Sequence, residues 1–525
     1  MEMKDHNTLV YINDVVTSIS DLLSSSFGPK GAYKIIIEDK NYRLTNDGTS
    51  IIVKGLNPQN PIAWVIIDAA KSHYTNIGDG VKSLILMISG LLKNAKKLIG
   101  EGLSVQAIIN GYSIASKKSC EFLDRIALKI NEDDLNTLKN IAMTSMTGMT
   151  EQCKKLLADI VINAVRVIRD TTVGTFDPLN IKLYEEYGGL VEDTKLIRGV
   201  VIPRGIVRGD MPKRIVNAKI ALIDYPIGTH EFKKGLEGRT GCKATIRIDS
   251  PLQVRSYLEE QNRLRLEIIN KIIESGANVV FAGRGVDPDA QRRLADKGIL
   301  VVRNVDKEDL ELLSKVTGGR IIGSVEDMSE KDLGWAGLVE ERYIDGSYKV
   351  FVEECRNPKC VSIIVRGGAK GITRAYGKVV EKAIRQVKNA LLELAVVGGG
   401  GATEVELFLA LNKWAQTISG VEQYAVMKFS EAFKIIPQLL AINTGMNPID
   451  ALADLVTLHS KGGTWFGISA SGNLVNTIDL GIIEPVTLKK EVIRSSTAVS
   501  ISLLRINKII KKGNELFKQF FRVKF

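Results

Sequence analysis

Apolar residues recur at three- and four-residue spacing over 9–27, 61–73, 81–99, 104–129 and 133–144. That period predicts a run of amphipathic helices in the first part of the chain. Tyr33–Ile37 and Tyr42–Leu44 interrupt it as two short strands around the polar turn Glu38–Asn41. A further helix is predicted from Gln152 to Arg169. Near residue 178 the texture changes. Ile181–Tyr184, Gly199–Val207 and Lys219–Ile223 are β-branched runs separated by glycine and proline, the pattern of strands. Val279–Phe281, a helix over Pro288–Lys297, a strand at Ile299–Val302 and a helix over 307–316 then make an α/β unit with right-handed crossovers. Helical periodicity returns at 369–394 and 403–418 and continues to the end. The middle of the chain is thus expected to be inserted into a helical domain formed by both ends.

Composition narrows this picture. With 525 residues the chain exceeds a single core, and ~100–200 residues per domain gives about three. The 45% hydrophobic and 25% charged residues are ordinary for a water-exposed globular protein. Met1–His6 lacks the basic and apolar segments of a signal peptide. Ser83–Leu92 is soon followed by Lys93, Lys96 and Lys97, so no membrane helix is predicted and a cytoplasmic location is expected. Cys120, Cys153 and Cys242 stand alone, and Cys355 and Cys360 have no metal-ligand partners at the right spacing, so reduced thiols are expected. His6, His73, His230 and His459 form no catalytic signature. The net charge of +11 is concentrated at the C-terminus, where Leu488–Phe525 holds ten Lys/Arg against two Glu, a net of +8. Such an end reads either as a solvated tail or as a basic amphipathic helix that pairs Leu516 with Phe520 and Phe517 with Phe521. A nucleic-acid- or membrane-associated protein acting through that tail is the competing class. No RNA- or zinc-binding motif supports it, and neither partner is expected.

Four glycine-bearing segments suit anions: Ser26-Phe27-Gly28-Pro29-Lys30-Gly31, Asn46-Asp47-Gly48, Gly78-Asp79-Gly80 and Gly398-Gly399-Gly400-Gly401. The third leads into the helix from Val81 and the fourth into the helix from Thr403. Backbone N–H groups at a helix start, with no Cβ in the way, suit phosphate oxygens, and a carboxylate such as Asp79 suits Mg²⁺. There is no GxxxxGK[ST] motif, and Gly283-Arg284-Gly285 lacks the third glycine of a dinucleotide site.

In order and spacing these segments resemble the ATP site of the chaperonins. The resemblance continues through Met211–Arg214, Asn217–Asp224, Ser275–Phe281, Asp332–Gly334 and Val339–Arg342. It runs on through Asn357–Lys359, Arg366–Gly368, Ile442–Gly445, Asn447–Asp450 and Gly481–Pro485, so it covers nearly the whole chain. Arg247–Ile273 resembles the built-in lid of the group II branch. Ser250-Pro251-Leu252-Gln253 there reads as a capping box with proline at the first helical position. The resemblance implies a multidomain α/β fold. Residues 1–137 and 397–525 would form a helical equatorial ATP-binding domain, 138–208 and 360–396 an intermediate hinge domain, and 209–359 an inserted α/β apical domain with a helical protrusion. It also implies stacked rings with sister subunits, unfolded proteins as clients, and ATP or ADP with Mg²⁺ as cofactors. The nucleotide would meet Ser26, Phe27, Gly28, Pro29, Asp79, Gly80, Val81, Lys82, Ser83, Gly399, Gly400, Gly401 and Glu484. Asp79 would be the metal ligand, and Glu484 matches a ribose-contacting position.

Three departures bear on catalysis. The family's water-activating aspartate lies about sixteen residues before the glycine run, where this chain reads Val380-Glu381-Lys382-Ala383, so Lys382 replaces it. Glu381 points about 100° away around a helix and is no substitute. Val81-Lys82-Ser83 stands where relatives carry threonines, and Met149 in Ser145-Met146-Thr147-Gly148-Met149 stands where they carry lysine. Asp47 remains at its family position. An ammonium beside phosphates cannot act as a general base, and losing one costs roughly 10²–10⁴ in rate. The expectation is a subunit that binds nucleotide, hydrolyses it slowly or not at all, and serves a structural or regulatory role in a hetero-oligomer. The alternative is an ordinary hydrolysing subunit.

Overall fold

The computed structural model describes residues 5–38, 41–56, 58, 60–171, 177–228, 251–323, 328–344, 346–356 and 359–509. The chain divides into two compact units, Met1–Ile162 with Gly371–Phe525, and Asn163–Lys370. Ser250, where the capping box falls, Cys242, and the tail beyond Ile509 lie outside the described residues.

In the first unit local chemistry sets the ends of the helices. Asn60 accepts from the Ile62 N–H and is followed by Pro61 at the first position of the helix Pro61–Ile77. Ser104 accepts from the Ala107 N–H to start Val105–Ile126. That helix stops short of the expected residue 129, because Leu128–Lys129 pairs as a strand with Ala395–Val396. The first helix, Asp5–Ser24, also ends early, with the Ser26 hydroxyl bonded back to the Leu23 carbonyl. One face of Val81–Gly100 is almost wholly buried, with Leu84, Ile85, Ile88, Leu91 and Leu92 at or near zero exposure. It packs with Asp5–Ser24, Glu422–Ala432 and Val486–Leu504 into one apolar core drawn from both ends of the chain. A three-stranded sheet orders Ile483–Pro485, Ala395–Gly398 and Leu128–Lys129. Its antiparallel register sets Glu484 opposite Val397, immediately before the four glycines.

The second unit is built on a seven-stranded mixed sheet. Its order is Gly199–Ile202, Ser347–Glu353, Gly334–Ile344, Arg214–Ile223, Val279–Ala282, Leu300–Val302, with Ile321–Ile322 also on Arg214–Ile223. Val279–Ala282 and Leu300–Val302 are buried throughout and run parallel to Arg214–Ile223, as strands covered on both faces should. The helices Pro251–Glu274, Pro288–Asp296 and Lys307–Thr317 fall between the strands in sequence, and two apolar clusters sandwich the sheet. The strand predicted over Gly199–Val207 stops at Ile202 because Pro203 offers no N–H for a ladder. A smaller sheet places Val361–Gly367 between Ile181–Tyr187 and Lys195–Ile197. Helix Pro251–Glu274 begins where the sequence predicted one. Among the described residues no helix is long and apolar enough to cross a membrane.

Candidate functional site

A cavity of about 390 Å³ opens in the first unit, and every residue lining it belongs to that unit. Three helix starts face it. Val81–Gly100 follows Gly80, whose φ of 82° is left-handed and whose added Cβ would stand 2.8 Å from Leu488 Cδ1. Ala402–Ala415 follows Gly401, also left-handed, whose added Cβ would press on Pro437. Neither start has a side-chain cap, so their first N–H groups lack that partner. The third helix, Gly48–Gly55, was not anticipated. Asp47 caps it, with Oδ2 accepting from the Ser50 N–H at 2.8 Å. Gly48, Thr49, Gly80, Val81, Lys82, Ser83, Gly400 and Gly401 thus line one cavity. Two uncapped helix starts and three dipoles of the same sign favour a polyanion there.

Most of the residues expected to hold nucleotide are brought together. Phe27, Gly28, Pro29, Asp79, Gly80, Val81, Lys82, Ser83, Gly400, Gly401 and Glu484 line the cavity, as do Asp47 and Lys382. Ser26 and Gly399 stand behind its wall: the Ser26 carbonyl accepts from Lys82 Nζ at 2.5 Å, and the Gly399 N–H is spent on the Ile482 carbonyl. Met149 is half-buried and is not part of the lining.

Electrostatically the cavity has two ends. At one, the Lys382 ammonium, 8% exposed, lies 2.9 Å from Asp47 Oδ1 and 3.1 Å from Asp79 Oδ1. Asp79 Oδ1 also accepts from the Gly80 N–H at 2.8 Å. Burial disfavours the ammonium, but the two carboxylates outweigh it and hold its pKa above the usual lysine value. Burial likewise pushes Asp47 up, yet the Lys382 charge and the Ser50 bond pull it down to about 2. Lys82 is lowered to about 8, first by burial and then by the like charge of Lys382. Two aspartates and two lysines leave this end neutral.

At the other end Lys489, from the helix Val486–Leu504, pairs with Glu404 Oε1 at 2.7 Å and with Glu484 Oε2. Burial raises the Glu484 pKa, and Lys489 opposes that shift. Neither Glu404 nor Lys489 was singled out from the sequence. Each sits inside an ordinary helix, and only the strand register that brings Glu484 beside the glycine run reveals them.

As chemistry, the cavity pairs anion-binding backbone with a carboxylate–ammonium cluster in which Lys382 engages both aspartates. Asp47 is ionised, but the ammonium 2.9 Å away neutralises it.

A family model described as the TCP-1/cpn60 chaperonin family matches residues 19–514. A thermosome subunit of Methanocaldococcus jannaschii is 40% identical over 505 residues, covering 95% of this chain and 92% of its own. The thermosome subunit beta of Archaeoglobus fulgidus is 38% identical over 503 residues, covering 95% and 91%. Among solved structures, the open-state monomer of a group II chaperonin from Methanococcoides burtonii aligns with a TM-score of 0.60 and 34% identity. It covers 82% of this chain and 100% of its own.

Proposed function

This chain belongs to the TCP-1/cpn60 chaperonin family and has a protein-folding role, and we propose that it is a nucleotide-binding subunit that hydrolyses ATP slowly or not at all. The carrying observation is Lys382: an ammonium, buried and paired with both aspartates, occupies the place of the family's general base. A base must accept a proton, and this group's pKa is raised, so at neutral pH it is already protonated and has no lone pair to accept one. ATP or ADP lies with its phosphates on the starts of Gly48–Gly55, Val81–Gly100 and Ala402–Ala415, and its sugar toward Glu484.

In this reading the chain works in the cytoplasm, in stacked rings with sister subunits, and enclosed unfolded proteins are the clients. Residues 209–359 face the client, with the lid around Pro251–Glu274, while 138–208 and 360–396 act as the hinge. Its role in the ring is structural or regulatory, since neighbours able to hydrolyse ATP drive the cycle.

Phosphate release from the purified chain at saturating ATP tests the reading, with the triple variant Lys382→Asp, Lys82→Thr, Met149→Lys alongside it. The unaltered chain should be slower than the triple variant by about 10²–10⁴, the usual worth of a general base. Lys382→Asp alone should recover little of that, because Lys82 still stands in the cavity. Turnover by the unaltered chain equal to that of the triple variant would refute the assignment of these three positions.

A further inference from the structure

The nucleotide reading implies a divalent ion with Asp79 as its ligand, and Asp47 is the second carboxylate beside it, both paired with Lys382. Their geometry does not fit one. Asp47 gives Oδ1 to Lys382 and Oδ2 to the Ser50 N–H, and Asp79 gives Oδ1 to both Lys382 and the Gly80 N–H, so of the four oxygens only Asp79 Oδ2 is left for an ion. Mg²⁺ demands near-octahedral oxygens at about 2.0–2.1 Å. An ion bound between the two aspartates would displace the ammonium or lie against it, like charge on like. The two aspartates are already balanced without an ion, because Lys382 and Lys82 together carry the charge of one divalent cation.

We infer that the Lys382 ammonium is a tethered replacement for the divalent cation, and that this chain binds nucleotide without one. Three features of the cavity converge here. The ammonium is buried and held by two carboxylates from different helix starts, Asp47 before Gly48–Gly55 and Asp79 before Val81–Gly100. Lys82 spends one proton on the Ser26 carbonyl and lines the same cavity. Gly48 is packed so closely on Lys82 that an added Cβ would stand 2.6 Å from its Cγ, so the lysine stem is held in place. A fixed ammonium cannot leave with product or be chelated. Occupancy of this site is therefore expected to ignore cellular magnesium, and a subunit built this way suits a ring position that stays loaded.

The inference rests on the nucleotide reading, and one experiment separates the two. The full chain is titrated calorimetrically with the β,γ-imido analogue of ATP, once with excess Mg²⁺ and once with EDTA. The dissociation constants should agree within about threefold. For Lys382→Asp, which puts a third carboxylate where the ammonium was, EDTA should weaken binding at least about tenfold. Binding of the unaltered chain only with Mg²⁺ overturns this inference and leaves the nucleotide reading standing. No binding in either buffer sinks both. If Lys382→Asp does not fold, Mn²⁺ alone is titrated against the unaltered chain by electron paramagnetic resonance. Its free signal should be undiminished by the protein, and stoichiometric uptake by the nucleotide-free chain overturns the inference.

Discussion

At one end of the cavity Lys382 lies between Asp47 and Asp79; at the other Lys489 lies between Glu404 and Glu484. The two clusters share a composition and differ in what else holds the acids. Backbone N–H groups at helix starts grip both aspartates, from Ser50 and from Gly80. Among the described residues no backbone donor reaches either glutamate side chain, and burial raises the Glu484 pKa. A second lysine, Lys82, balances the aspartates, whereas the glutamates share Lys489 alone. Anchored acids stay charged and make their counter-ion obligatory. Unanchored acids can take a proton instead, which leaves room for a ligand hydroxyl to bargain for the same oxygens.

Removing each lysine tests that distinction. Lys382→Met leaves two neighbouring carboxylates with one cation fewer, and breaking a buried pair in this way costs roughly 3–5 kcal/mol. Asp47 shows the sign of the pH effect in the unaltered chain. Its folded pKa lies below the unfolded value, so its stabilisation is present above about pH 4 and is lost as pH falls toward about 2. Urea midpoints should show a large deficit for Lys382→Met at neutral pH, and Asp47→Asn in the same chain should restore part of it. A deficit below about 1 kcal/mol would mean that the ammonium is not paired as described.

Lys489→Met should cost less, roughly 1–3 kcal/mol, because Glu484 can answer the loss by binding a proton. An acid whose folded pKa is raised destabilises at high pH and is relieved as pH falls. The deficit of Lys489→Met should accordingly narrow as pH falls from neutral toward the ordinary glutamate value, and that of Lys382→Met should not narrow to the same degree. Equal pH profiles for the two variants would erase the comparison.

How much of this could be read from residues alone differs between fold and site. Long periodic helices such as Val81–Gly100 and the alternation of helix and buried strand after Val279 carried the multidomain α/β class. The helix Gly48–Gly55 escaped because eight residues are too few to show a period, although Asp47 three before Ser50 is a capping signal. The hairpin of Gly334–Ile344 and Ser347–Glu353 also escaped. The Asp-Gly pair at 345–346 in the sequence is a hairpin signal, but Glu340, Glu341 and Arg342 hid the strand alternation before it. In the site, the Lys382 substitution stood out against the family pattern. Its double pairing did not, since Asp47, Asp79 and Lys382 come from three separate elements. Glu404 and Lys489 carry no motif, and only folding sets them beside Glu484.

The smallest effect separates the two lysines within the neutral end itself. Lys382 is held above the ordinary lysine pKa and stays charged through the working range, whereas Lys82 is lowered to about 8. For a base with a depressed folded pKa, the unfolded chain keeps its proton longer. Stability therefore rises with pH between about 8 and 10.4, the ordinary lysine value. Attraction for phosphate moves the opposite way, since each Lys82 that deprotonates removes one positive charge from the cavity. Affinity for ADP should fall by roughly two- to fivefold from about pH 7 to pH 9, a modest loss because three helix starts and Lys382 remain. Lys82→Met should bind ADP more weakly at pH near 7 and show no further decline toward 9. The decisive measurement is the ADP dissociation constant across that range for both chains. A slope that persists in Lys82→Met would assign the titration to another group.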